Sequence, residues 1–231
     1  MATFTDNFNR ADENPLAAPW AATLGSGLRI INNQVSGNSS GGSISIVNDE
    51  VFDNDQSAEI RFSVITTSND AGVLVRGDLS GNGYYLEYIV GSDSLRLRVR
   101  VAGGVTSLTS RSAVGLAAGD RIALTVTGNV FTILINDVPV GSTYTDASNR
   151  ITSGKVGMWY VRGNLGTSRI DDFVAEGLVV SASITNVDTD NIVVDGQQNA
   201  TLTVDGFGAN INALDLRVGT DTLALTGLTG S

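Results

Sequence analysis

The chain has no cysteine and no histidine in its 231 residues. That excludes disulfides, zinc sites built on Cys or His, Ser-His-Asp triads and Cys-His dyads. It leaves the redox compartment open, because a chain without thiols is safe in either. Lys155 is the sole lysine, and the formal net charge is -10. A surface that tracks phosphates needs clustered Lys and Arg, so no nucleic-acid partner is expected. No apolar run approaches the ~20 residues of a membrane span, and no membrane insertion is expected. The opening segment Met1-Ala2-Thr3-Phe4-Thr5-Asp6 has neither the basic nor the apolar stretch of a secretory signal, which predicts a protein made in the cytosol and not exported by that route. Charged residues are only 16% of the chain and prolines number three.

What is abundant is hydrophobic residues (42%) and glycine (27). With recurrent Val, Ile and Thr, this mix favours strands joined by tight turns. Period-two alternation runs through Ala58, Ile60, Phe62 and Val64, through Ile122, Leu124 and Val126, and through Phe131, Ile133 and Ile135. Turn residues separate such runs at Gly81-Asn82-Gly83, Thr127-Gly128-Asn129 and Asn136-Asp137. Ala11–Trp20 is the one stretch with a helical period, and Pro15 and Pro19 interrupt it, so it reads as a loop with at most one helical turn.

The clearest hairpin joins Tyr84–Val90 to Leu95–Val101. With Gly91–Ser94 as its loop, Tyr84, Leu86, Tyr88 and Val90 share an inward face with Leu95, Leu97, Val99 and Val101. The outward face then sets Ile89 opposite Arg96, Glu87 opposite Arg98 and Tyr85 opposite Arg100. A one-residue slip would bury three arginines, so this register is expected to be strongly selected.

Two similar segments, Thr5-Asp6-Asn7-Phe8-Asn9-Arg10 and Ile170-Asp171-Asp172-Phe173-Val174-Ala175-Glu176, bracket this strand-rich region. First and last strands of this kind pair and close a β-sandwich. The expected domains are therefore residues 1–177 and a thin tail, residues 178–231, which carries six Asp against Arg217 and a single aromatic, Phe207. Strands are expected in that tail at 183–187, 193–197, 200–208, 213–218 and 222–225. So small a unit is marginal alone; the expectation is that it is either a partial domain or one completed by a partner or another copy.

In order along the chain, Asp6-Asn7-Phe8-Asn9-Arg10 with Trp20, Ile30-Ile31-Asn32-Asn33, Ala71-Gly72-Val73-Leu74-Val75-Arg76 and Gly83-Tyr84-Tyr85-Leu86 carry a resemblance. Gly119-Asp120-Arg121-Ile122, Ile135-Asn136-Asp137, Gly154-Lys155-Val156-Gly157-Met158 and Ile170-Asp171-Asp172-Phe173 continue it. In these, residues 3–177 resemble the concanavalin A-like lectin/glucanase family, particularly its LamG-like members. The resemblance implies an all-β antiparallel jelly roll of two curved sheets, with a concave face that often binds glycans. Val194-Asp195-Gly196-Gln197 and Thr203-Val204-Asp205-Gly206-Phe207-Gly208 resemble the opening of an Ig-like domain of the kind appended to bacterial surface proteins and phage virion proteins.

Sugars are held by aromatic platforms and planar polar side chains. The candidate ligand face is Arg76, Tyr85, Glu87, Arg98, Arg100 and Trp159. The competing reading is a solvated face stitched by ion pairs. For metal, pairing of the terminal strands sets Asp6 near Asp172, where some relatives hold a structural Ca²⁺; capping and turn hydrogen bonds are the simpler role for both, so no cofactor is expected. Glucanases of this fold carry carboxylates on alternate positions of one strand, and no strand here does, so the chain is expected not to be an enzyme. Asp188-Thr189-Asp190-Asn191 lacks the Gly and closing Glu of a calcium loop. Arg76-Gly77-Asp78 spells an integrin-binding tripeptide, which three residues do by chance.

Together these readings lead to a non-enzymatic structural or adhesion protein in the virion of a tailed bacteriophage, a head or tail appendage or fibre. Its partners would be copies of itself, in a homo-oligomer, other virion proteins and a cell-surface glycan. The alternative is an extracellular carbohydrate-binding module of a secreted bacterial enzyme or adhesin.

Overall fold

The computed structural model describes residues 3–38, 41–66, 70–161, 168–177, 215–218 and 221–224. They fall into two compact units, Met1–Val179 and Val180–Ser231. In chain order the strands are β1 (Thr3–Asp6), β2 (Trp20–Leu24), β3 (Leu28–Ile31), β4 (Gln34–Gly37), β5 (Ser43–Val47) and β6 (Gln56–Val64). There follow β7 (Asp70–Gly77), β8 (Gly83–Ile89), β9 (Ser94–Val101), β10 (Gly104–Ser112), β11 (Arg121–Thr127) and β12 (Val130–Ile135). The last are β13 (Val138–Pro139), β14 (Tyr144–Thr145), β15 (Lys155–Val161), β16 (Arg169–Gly177), β17 (Asp215–Val218) and β18 (Asp221–Ala224). Among the described residues the sole helical element is a 3-10 turn, Val90–Ser92. Ala11–Trp20 has no helix: Glu13 bridges to Ile30 instead.

Two antiparallel sheets form the first unit. One has nine strands, in the order β13-β12-β11-β6-β16-β4-β3, with β1 also on β16 and β14 on β12. The other has seven, in the order β10-β9-β8-β7-β15-β5-β2. Alternation decides what lies between them. Ala58, Ile60 and Phe62 from β6 meet Val73, Val75, Tyr84, Leu86 and Tyr88 from the facing sheet in one continuous buried core. In the β11–β12 hairpin the register sets Ile122 opposite Ile135, Leu124 opposite Ile133 and Val126 opposite Phe131, so every inward position is apolar. Val64 departs from the pattern. A bulge opposite Arg169 and Ile170 breaks the ladder there, and Val64 is exposed.

Turn chemistry follows the residues. Asn32-Asn33 and Asn136-Asp137 all take positive φ, between 49° and 67°, and join strands through two-residue loops. This is the type I′ geometry that Asn and Asp tolerate best after glycine. The terminal strands pair as the bracket implied: Thr3 lies opposite Glu176 and Asp6 opposite Phe173. Phe4, Phe8 and Phe173 all pack on Trp20, with ring centroids 5.6, 6.0 and 5.0 Å away. Aromatics from both ends of the bracket thus seal the sandwich against a strand of the opposite sheet.

At another point the core contains a buried carboxylate. Asp146 accepts hydrogen bonds from the Tyr84 hydroxyl at 2.6 Å, the Arg150 guanidinium at 3.0 Å and the Ser148 and Arg150 backbone amides. Burial raises its pKa, but the Tyr84 hydroxyl, the two amides and the Arg150 charge outweigh that and hold it below the usual carboxylate range. A depressed folded pKa stabilises the fold above the unfolded pKa, and that stability disappears as pH falls through the folded value. Asp146→Asn is therefore expected to lose about 2 kcal/mol near neutral pH and much less in acid below the folded pKa of Asp146. Urea denaturation at both pH values checks it; an equal loss at both would show that packing, not charge, is what Asp146 supplies.

The second unit contains the hairpin β17–β18, with Asp215 opposite Ala224 and Val218 opposite Asp221. These two strands overlap the last two expected in the tail. The other tail strands, the Ig-like motif and the Asp188–Asn191 segment lie outside the described residues.

Candidate functional site

The outward face of the seven-stranded sheet is ordered in two rows. In the first, Arg98, Tyr85, Leu74, Gly157, Ile46 and Ala21 lie opposite one another across β9, β8, β7, β15, β5 and β2. In the second, Arg96, Glu87, Gly72, Trp159, Ile44 and Leu24 do the same. The face is thereby split. Ile44, Ile46, Leu74 and Tyr85 form a second buried apolar cluster, separate from the main core, with Leu24 and Trp159 packed on it. Beside this apolar half stand the charges of β8 and β9.

Glu87 is the pivot of the charged half. It is only 1% exposed. Its Oε1 accepts from Arg96 Nε at 2.8 Å, and its Oε2 accepts from Trp159 Nε1 at 3.1 Å. The Trp159 indole spans the position of Gly72 to reach it and lies 5.1 Å from the Tyr85 ring. Tyr85 is a floor residue: its hydroxyl donates to the Gly81 carbonyl, and burial pushes its phenol pKa up. Arg100 donates through Nη1 to the Ser80 and Gly81 carbonyls at 2.9 and 2.8 Å. Asp70, at the start of β7, accepts from the Val90 amide; burial raises its pKa, with the nearby Glu87 charge adding to the effect.

Five of the six residues expected on this face are gathered there: Tyr85, Glu87, Arg98, Arg100 and Trp159. Arg76 is not. It is 2% exposed and takes a φ of 52°, and its guanidinium donates to the carbonyls of Asn54, Ile151 and Gly128. It clamps three loops at one end of the sandwich, 3.7 Å from Asp55. The buried Arg76 also removes Arg76-Gly77-Asp78 as a presented tripeptide.

The hairpin register sits two residues from the expected one, with Tyr85 opposite Arg98, Glu87 opposite Arg96 and Ile89 opposite Ser94. An even shift preserves the faces and changes the partners. It brings Arg96, which sequence reasoning left opposite Ile89, onto Glu87. Strand alternation already set Arg96 on one face with Arg98 and Arg100, and that signal was sufficient to include it. Nothing local marks Asp70, whose role depends on its distant partner.

Asp6 and Asp172 line an open cleft of about 520 Å³ on the nine-stranded sheet with Glu59, Arg61 and Arg121. Each carboxylate already has a protein partner. Asp6 accepts from the Phe8 amide, from Arg10 and from Trp20 Nε1 at 2.8 Å, and Asp172 accepts from Arg61 at 2.7 Å. Among the described residues no group of three or more acidic side chains is arranged to hold a metal.

No protein-family model matches the sequence, and neither does a curated protein. Solved structures do match. The carbohydrate-binding module CBM66 from Bacillus subtilis superposes with a TM-score of 0.54 at 15% identity, over 67% of this chain and 91% of its own. A β-1,3-1,4-glucanase (lichenase) from a mouse hindgut metagenome gives 0.53 at 10% identity, over 77% and 100%. The fold is a galectin- and concanavalin A-like jelly roll. The exoplasmic/lumenal domain of VIP36, in a form bound to Ca²⁺ and Man3GlcNAc, shares it at a TM-score of 0.50 and 12% identity, over 72% of this chain and 86% of that one.

Proposed function

We propose that the jelly roll is a non-enzymatic glycan-binding module and that the outward face of the seven-stranded sheet is its binding surface. The observation that carries this reading is the split face itself. A sugar ring offers C–H surface on one side and hydroxyls around its rim. Here a half-buried Trp159 over an apolar floor adjoins planar guanidiniums that can fork to hydroxyls. The fold it shares with a carbohydrate-binding module and with a lumenal domain crystallised with an oligosaccharide supports the same reading.

The non-enzymatic part rests on the state of Glu87. A retaining glycosidase needs a free carboxylate oxygen about 5 Å from an acid partner. Both oxygens of Glu87 are engaged, one by Arg96 and one by Trp159. The module suits a multicopy carrier, where avidity compensates weak single-site affinity. An appendage of a tailed-phage virion, assembled from copies of the chain and other virion proteins, is the carrier that sequence reasoning favours; that setting rests on the sequence alone. A secreted bacterial enzyme or adhesin is the second, and the likeness to CBM66 supports it.

A glycan array probed with the full chain tests the function. Binding to a defined set of sugars is expected, and Trp159→Ala is expected to weaken it at least about tenfold with the circular dichroism unchanged. A chain that binds no sugar at all defeats the proposal.

A further inference from the structure

Building on the glycan-binding reading, we infer that the bound sugar is anionic, bearing a ring carboxylate or a sulfate ester, and that Arg98 is the residue that holds the anion. The three cations of β9 are used unequally. Arg96, Arg98 and Arg100 project from one face at alternate positions, about 7 Å apart along the strand. Arg96 is neutralised: its Nη2 lies 2.7 Å and its Nε 2.8 Å from Glu87 Oε1. Arg100 is held by neutral carbonyls and has no carboxylate partner within ion-pair distance among the described residues.

Arg98 is the exception. Its Nε is buried and lacks a hydrogen-bond partner among the described residues. That nitrogen lies 3.1 Å from Glu87 Oε1, yet its N–H is not aimed at the oxygen, which Arg96 already occupies. The terminal nitrogens of Arg98 make no hydrogen bond to any described residue, and the side chain remains 24% exposed. A buried, unmatched guanidinium N–H is costly and is rare unless a ligand or solvent completes it.

Charge counts in the same direction. The other titratable groups near this face are Glu87, committed to Arg96 and Trp159, and Asp70, whose carboxyl burial pushes towards its neutral form. Asp78, near Arg100, is bound by the Ser80 and Asn82 amides and by the Asn82 side chain. Among the described residues one carboxylate, Glu87, thus serves both Arg96 and Arg98, and Arg100 has none within ion-pair distance, on a protein whose net charge is -10. The chain as a whole repels anions, and this face is built to receive one. A carboxylate or sulfate oxygen pair fits the Arg98 fork, with the sugar ring extending over Trp159 and the apolar floor.

Matched polymers test this, with the full chain immobilised. Polygalacturonate is set against its methyl ester, and dextran sulfate against dextran, so that carboxylate and sulfate are read separately. The anionic member of at least one pair is expected to bind roughly 10- to 100-fold more tightly than its neutral counterpart. Arg98→Gln is expected to reduce that ratio to near one. Arg98→Lys, which retains charge without the fork, is expected to keep part of it, and circular dichroism of both variants verifies the fold. Neutral polymers that bind as tightly as anionic ones, or an Arg98→Gln variant that keeps the preference, overturn the inference and leave sugar binding standing. Binding to none of the four polymers overturns it too, and a wider array then tests sugar binding itself.

Discussion

Arg76→Ala is expected to destabilise the sandwich by about 4 kcal/mol, in the range seen when one partner of a buried charged network is removed. The guanidinium lies among carbonyls from the β5–β6, β11–β12 and β14–β15 loops, at 2.9, 2.6 and 3.1 Å. Its backbone amide donates to Gln56 Oε1, and Gln56 in turn donates to the Gly154 carbonyl. Alanine leaves three carbonyls without their guanidinium donor and a void the length of the buried side chain. Lysine is expected to recover little, because one ammonium cannot reach three diverging carbonyls as a planar fork does. Denaturant unfolding gives the loss directly. Glycan binding measured well below the unfolding midpoint is expected to be unchanged, since Arg76 is remote from the Trp159 face. A variant that loses binding with its stability intact would return Arg76 to the ligand surface.

Gly72→Ala is the second large effect, expected to cost about 3 kcal/mol. A Cβ at this position would lie 1.8 Å from the Leu86 carbonyl oxygen and 2.8 Å from Glu87 Cα. Both are backbone atoms of the neighbouring strand, so no rotamer change relieves the clash; β7 and β8 must separate. The same atom would intrude between Trp159 and Glu87, which lie on either side of Gly72 in one row. Stability and sugar binding are therefore expected to fall together, in contrast to Arg76→Ala. Thermal unfolding with an affinity titration on the same preparation checks this, and an alanine variant of normal stability would refute the tight β7–β8 contact.

The jelly roll was legible from the sequence because its evidence is local. Alternation at Ala58–Phe62 and Ile122–Val126 sets the inward faces, and the Asn-rich two-residue turns set several hairpins. That five of the six candidate ligand-face residues share one side of the sheet followed from the same parity, which survives a two-residue register error. What was not legible depends on contacts distant in sequence. The turn after β8 begins at Val90, not Gly91. The Val90 amide is held by Asp70, and Asp93 enters the left-handed region at a φ of 45° with its carboxylate on the Gly115 amide. Neither partner can be read from the hairpin itself. Arg76 was misplaced for a related reason. Alternation sets it outward with Leu74, but the register slips opposite Lys155 and Gly157, and a positive φ turns the side chain into the end of the sandwich. Asp6 and Asp172 each proved to be held by a neighbouring arginine, and for Asp6 the Trp20 indole is a further partner that its own segment does not reveal.

The pairing of Thr3 with Glu176 has a mechanical consequence. The chain enters and leaves the sandwich at the same end of one antiparallel strand pair. Tension applied between the two ends would load the hydrogen-bonded pairs of β1 and β16 one after another, as a zipper is opened, and not all at once in shear. The two ends of the sandwich thus leave from a single point, with the outward face of the seven-stranded sheet outside the line of force. The module can be carried by a longer fibre or inserted into a host loop without spanning it.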